Sequence, residues 1–107
     1  MLPSDGTFLD KYDHVWLGVS AENQQRYDER VAELVTVPSK TRFISAEPLL
    51  GPIDLKFSDP KINGKVHWVI VGGESGNQTG PYRYRECQLS WIEDIIKQCV
   101  DAEVPVF

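Results

Sequence analysis

The stretch VIVGGESG, Val69 to Gly76, decides how the rest of the chain is read. Three β-branched residues run straight into Gly72 and Gly73, then Glu74, Ser75 and Gly76. β-branched side chains fit a pleated, buried surface, and glycines end such a run in a tight turn. The glycines do not have the spacing of a phosphate loop. There is no G-x-x-x-x-G-K-[ST] with its lysine, no G-x-G-x-x-G, and no helical pattern directly after the loop. Nor is it a G-x-S-x-G nucleophile elbow. The stretch reads as the carboxyl end of a buried strand that presents a glutamate and a serine.

Two other apolar runs end in the same way. HVWLGVSAE (14–22) closes on Ser20 and Glu22, followed by Asn23, and TRFISAE (41–47) closes on Ser45 and Glu47. A fourth run, VPVF, occupies 104–107. The interval from Ser20 to Ser45 is 25 residues and that from Glu47 to Glu74 is 27. Short apolar runs at that interval are the signature of β-α units in a parallel sheet, whose strands are apolar on both faces because helices cover them.

Between the first two runs, Tyr27, Val31, Leu34 and Val35 share one helical face, with Ser20 as a candidate N-cap and Pro38 as the stop. Leu89, Ile92, Ile95, Ile96, Cys99 and Val100 form a stripe on a second helix over about 88–102. The interval between them holds Pro48, Pro52 and Pro60 with Gly51 and Gly64, which exclude a long regular helix. An irregular crossover docked through Leu49, Leu50, Ile53, Leu55 and Phe57 is expected there. The expected organisation is an N-terminal arm over 1–13 and one α/β domain over 14–107.

Composition limits the function classes. The 107 residues carry 16 acidic against 11 basic side chains, for a net charge of −5. That balance disfavours direct contact with nucleic-acid phosphates. No apolar run reaches the roughly 20 residues of a membrane span, and MLPSDGTFLDKYD is not a secretory signal. Cys87 and Cys99, set along one helix, stand roughly 18 Å apart by helical rise, too far for a disulfide. With His14 and His67 they make no zinc spacing. Reduced thiols and a cytoplasmic location in the host cell are the expectation.

In parallel α/β folds ligands sit at the carboxyl ends of strands. The set Ser20, Glu22, Asn23, Ser45, Glu47, Glu74 and Ser75 therefore falls on one rim. Three converging carboxylates raise one another's pKa or bind a cation or amine. Helix capping alone accounts for Ser20 and Glu22, whereas Glu47, fixed in extended backbone by Pro48, is harder to explain as a cap. A second candidate is PYRYRE (81–86), where Tyr82, Arg83, Tyr84 and Arg85 alternate stacking surfaces with guanidinium groups. That composition suits contact with a partner and is equally normal for a loop rim.

The strings VWLGVSAENQQRYDER (15–30), RFISAEPLLGPIDL (42–55) and WVIVGGESG (68–76) resemble a phage- and prophage-encoded family of uncharacterised proteins distantly related to radical-SAM enzymes. The resemblance covers roughly 14–107. It implies a TIM-like β/α barrel, of which this chain would supply about four mainly parallel strands with covering helices, one half. It also implies that S-adenosylmethionine and a [4Fe–4S] cluster belong only to a full-length relative, since the clustered cysteines of the family are missing here and no cofactor is expected in this chain. Ser20, Glu22, Asn23, Ser45, Glu47, Pro48, Gly72, Gly73, Glu74, Ser75 and Gly76 match the family motifs, with Asn23, Gly72, Gly73 and Gly76 as ligand-binding positions. In a complete barrel they would line its mouth. No catalytic residue is expected in this chain alone. Two functions follow. One is a small acidic phage-type protein that works by binding a protein partner or itself, for example as an antagonist of a host defence complex. The other is the C-terminal fragment of a radical-SAM-like enzyme.

Overall fold

The computed structural model describes residues 15–73 and 87–107. The apolar runs form strands at the expected places: β1 (Trp16–Ser20), β2 (Thr41–Ala46) and β3 (Trp68–Val71). They pair in parallel in the order β1-β2-β3. Gly18 lies beside Phe43 and Phe43 beside Trp68, while Val19, Ile44 and Val69 form the next row. Because side chains alternate across a sheet, this register sorts the strands into two faces. Leu17, Val19, Ile44, Ala46, Val69 and Val71 belong to one. Trp16, Gly18, Ser20, Phe43, Ser45, Trp68 and Ile70 belong to the other.

The hydrophobic core lies on the first face. Helix α1 (Gln24–Leu34) contributes Tyr27, Val31 and Leu34, and helix α2 (Leu89–Asp101) contributes Ile95 and Cys99. These join Ile44, Ala46 and Val69 in one buried cluster, with Leu49, Ile53 and Leu55 from the crossover. The crossover is irregular, as its prolines require, and it is held by side-chain amides. Gln98 of α2 donates to the Ile53 carbonyl at 2.7 Å and accepts from the Leu55 amide at 2.7 Å. Gln24 of α1 accepts from the Asp54 amide at 2.6 Å and donates to the Asp54 carbonyl at 3.0 Å. The two helices thus satisfy the main chain of 53–55 from opposite sides, in place of a sheet ladder.

The expected four strands and half of a TIM-like barrel are not formed by the described residues. Among them the sheet has three strands. Residues 104–107 add only one parallel bridge, Val69 to Val106, at the edge of β3. Three main-chain bonds hold the segment there: the Val69 amide donates to Pro105 O at 3.0 Å, the Phe107 amide to Val69 O at 2.9 Å, and the Val71 amide to Phe107 O at 2.9 Å. The irregular crossover supplies no helix between β2 and β3, so among the described residues two helices pack on one face of a short open sheet. The expected helix cover on both faces is absent there as well. The second helical stripe is also narrower than its composition suggests: Leu89, Ile96 and Val100 are exposed. No helix among the described residues is long and apolar enough to cross a membrane.

Candidate functional site

The carboxyl ends of the strands are tied together by main-chain bonds. The Ala21 amide donates to Ser45 O at 2.9 Å, and the Gly72 amide to Ala46 O at 3.3 Å. The chain leaving β2 then crosses both neighbours. The Leu49 amide donates to Gly72 O and the Leu50 amide to Glu22 O, each at 2.8 Å. The Glu47–Pro48 peptide in this strap is cis. Ser20, Ser45, Glu47 and Gly72 therefore do share one rim.

The individual side chains have separate tasks. Asn23, not Ser20, caps α1: its side chain accepts from the Arg26 amide at 3.0 Å. Ser20 is the last residue of β1 and is paired with Ser45, too far from the helix start to cap it. Glu22 is not a free carboxylate. Arg30 donates to it at 3.2 Å and to the Ser20 carbonyl at 2.6 Å, which pins the end of β1 to α1. Glu47 is exposed, and its carboxyl group lies across Gly72, where a Cβ would come within 3.3 Å of Glu47 Cδ. A Cβ on Gly73 would meet Cys87 Cβ at 3.3 Å. At both glycines a Cβ would crowd a neighbouring side chain. Glu74, Ser75, Gly76 and the cluster Tyr82, Arg83, Tyr84 and Arg85 lie outside the described residues, as does the arm over 1–13.

At the opposite end of the sheet, His67 precedes β3. Its Nδ1 accepts from the Arg42 amide at 2.8 Å, and its own amide donates to Arg42 O at 2.8 Å. Burial, and then the Arg42 charge, pull its pKa below the ordinary value. Arg42 turns its guanidinium onto the carbonyls of Leu34 and Val37 at the end of α1. Burial pushes the Cys99 thiol up to about 11, as expected of a core cysteine. No group of three or more metal-ligating side chains occurs among the described residues.

The largest feature missed by the sequence reading is the second face of the sheet. Phe43 stacks on Trp68, with ring centres 4.6 Å apart and planes 22° from parallel. Its ring lies flat over Gly18, where a Cβ would overlap Phe43 Cζ. Trp16 and Phe107 flank Trp68 edge to face, each with centres 5.6 Å away. Trp16 is 61% exposed and Phe107 72% exposed, and none of the four aromatic residues belongs to the core cluster. The signal was present in the alternation Trp16-Gly18-Ser20 and Thr41-Phe43-Ser45. It was hidden by the apolar residues that also fill the intervening positions.

Neither the curated proteins nor the solved structures contain a match to this chain. A family model does match, across residues 3–107. With strands, crossover and both helices inside that match, the chain belongs to the family described as "Protein of unknown function (DUF5131)".

Proposed function

We propose that this chain works by protein binding, with the aromatic face of its sheet as the contact surface. The observation that carries this reading is that, among the described residues, no helix covers this face. Parallel sheets occur almost only with both faces covered. Here Trp16, Phe43, Trp68, Ile70 and Phe107 face away from the core that α1 and α2 build. Aromatic residues are the side chains most enriched at interface centres. The partner is a second protein or another copy of the chain. A phage origin and antagonism of a host defence complex are the biological setting implied by the sequence resemblance. Affinity capture from host lysate tests the reading, with Trp16→Asp as the comparison. The wild-type chain captures a protein that the variant loses. Equal capture by both, or none above background, contradicts it.

A second reading, a ligand rim from an iron–sulfur enzyme, draws support from the strand ends gathered by Leu49 and Leu50. The residues do not fit the cluster. The chain has two cysteines, and Cys99 is fully buried in the core, whereas a cluster site needs three or four thiolates. Any such chemistry would need a second chain or segment. Anaerobic reconstitution with iron and sulfide decides it: uptake of a cluster by this chain alone would restore the enzyme reading.

A further inference from the structure

Away from the aromatic face, a groove of about 600 Å³ runs between α1 and the turns of the crossover. Its volume falls in the range of small-ligand sites. Val31, Ala32 and Val35 of α1 and Ile62 of the crossover form its apolar wall. Val31 and Ile62 are buried, whereas Ala32 is exposed. The groove shares no residue with the aromatic cluster.

Lys56, Lys61 and Lys65 line the same space, with Asp28 and Asp59, so three cations against two anions leave a local charge of +1. Both carboxylates are engaged. Asp28 accepts from Lys56 Nζ and from Gln24 Nε2, each at 2.9 Å. Lys56 reaches it from the left-handed backbone region, at φ 57°. That ion pair joins the crossover wall to the helix wall at the Asp28 end. Asp59 turns back into its own loop. Its Oδ1 accepts from the Lys61 amide at 2.9 Å, and its carbonyl accepts from the Ile62 and Asn63 amides at 2.9 and 2.8 Å. These bonds fix the turn that carries Lys61. Among the described residues, neither Lys61 nor Lys65 forms an ion pair. On a chain of net charge −5, two unpaired ammonium groups beside an apolar wall are a local reversal of sign. Their complement is an apolar body carrying one negative group. The Lys56–Asp28 bridge across one end favours a short ligand over a polypeptide running through.

We propose that this groove binds a fatty carboxylate. The tail lies along Val31, Val35 and Ile62, and the carboxylate meets Lys61 and Lys65.

Octanoate and octanol, which share a tail and differ in charge, form the test pair. Each is titrated into the whole chain by isothermal calorimetry. Octanoate gives saturable heat, and octanol binds at least about fivefold more weakly. Two variants locate the site. Ala32→Leu, at an exposed helix position that leucine suits, fills the groove and abolishes octanoate binding. The double change Lys61→Gln/Lys65→Gln brings octanoate down to the affinity of octanol. Both variants keep the circular dichroism of the wild type. Equal affinity for the two compounds, wild-type affinity in Ala32→Leu, or no saturable response to octanoate each overturns the proposal. Saturation by a peptide of alternating glutamate and leucine, with none by octanoate, assigns the groove to a protein segment and overturns it as well. Trp16→Asp leaves octanoate binding unchanged, so this result and capture of a protein partner are read separately.

Discussion

The carboxamide of Gln98 closes a two-point bridge onto the main chain beside Leu55, accepting from its amide and donating to the Ile53 carbonyl two residues further back. Gln24 does the same from the other helix at Asp54. A segment without secondary structure of its own is thereby given the hydrogen bonds of a strand. It can then bury Ile53 and Leu55 completely without stranding its backbone.

Removing that bridge leaves two main-chain groups in need of partners. Gln98→Ala should cost about 2–4 kcal/mol in urea unfolding, and Gln24→Ala, on the more exposed side, about 1 kcal/mol. Equal losses would show that burial of the segment does not depend on α2.

Helix α2 should be sensitive on one side only. Ile95→Ala, in the core, should cost about 2–5 kcal/mol. Val100→Ser, on the exposed line, should stay within about 0.5 kcal/mol of the wild type. A large loss at Val100 would place an unseen contact on that side.

Gly18 is required by the ring above it. Gly18→Ala should displace Phe43, break its stack with Trp68, and cost about 1–2 kcal/mol. The near-ultraviolet circular dichroism should change with it. An unchanged spectrum would show that the ring has room to move aside.

His67 sets a pH dependence. Its folded pKa lies below the ordinary 6.5, so the folded state resists a proton that the unfolded chain accepts. The contribution is fully present above about 6.5, is lost as pH falls from there to the folded value, and is level below that. Urea midpoints should fall between pH 7 and pH 5 more steeply for the wild type than for His67→Gln, whose amide oxygen can still accept from Arg42. Parallel profiles would exclude the histidine as the cause.

Much of the fold was legible in the sequence. Trp68–Val71, Thr41–Ala46 and Trp16–Ser20 are strands because β-branched and aromatic runs end at small or polar residues, and Tyr27, Val31 and Leu34 mark the buried side of α1. The prolines correctly excluded a helix between β2 and β3. Closure was not legible. The alternation that separates Val19, Ile44 and Val69 from Gly18, Phe43 and Trp68 says that two faces exist, not that helices cover just one. The span VPVF looked like a strand by composition; it lies along β3 through three main-chain bonds but forms a single bridge and no named strand. At the rim, shared position was legible and side-chain use was not. Whether Glu22 is free depends on Arg30, eight residues away on a helix, and the glutamine bridges join residues 30 and more positions apart.

The central claim is the proposal that the aromatic face, left without a helix among the described residues, is covered by protein. Size-exclusion chromatography with light scattering tests it most directly, comparing the wild type with a Trp16→Asp/Phe107→Asp double variant, each alone and after incubation with host lysate. Both positions are exposed, so the variant should remain folded. The account predicts that the wild type runs in an assembly heavier than its own 12.1 kDa and that the variant runs as a folded monomer. A wild-type chain that stays at 12.1 kDa in both conditions would contradict it.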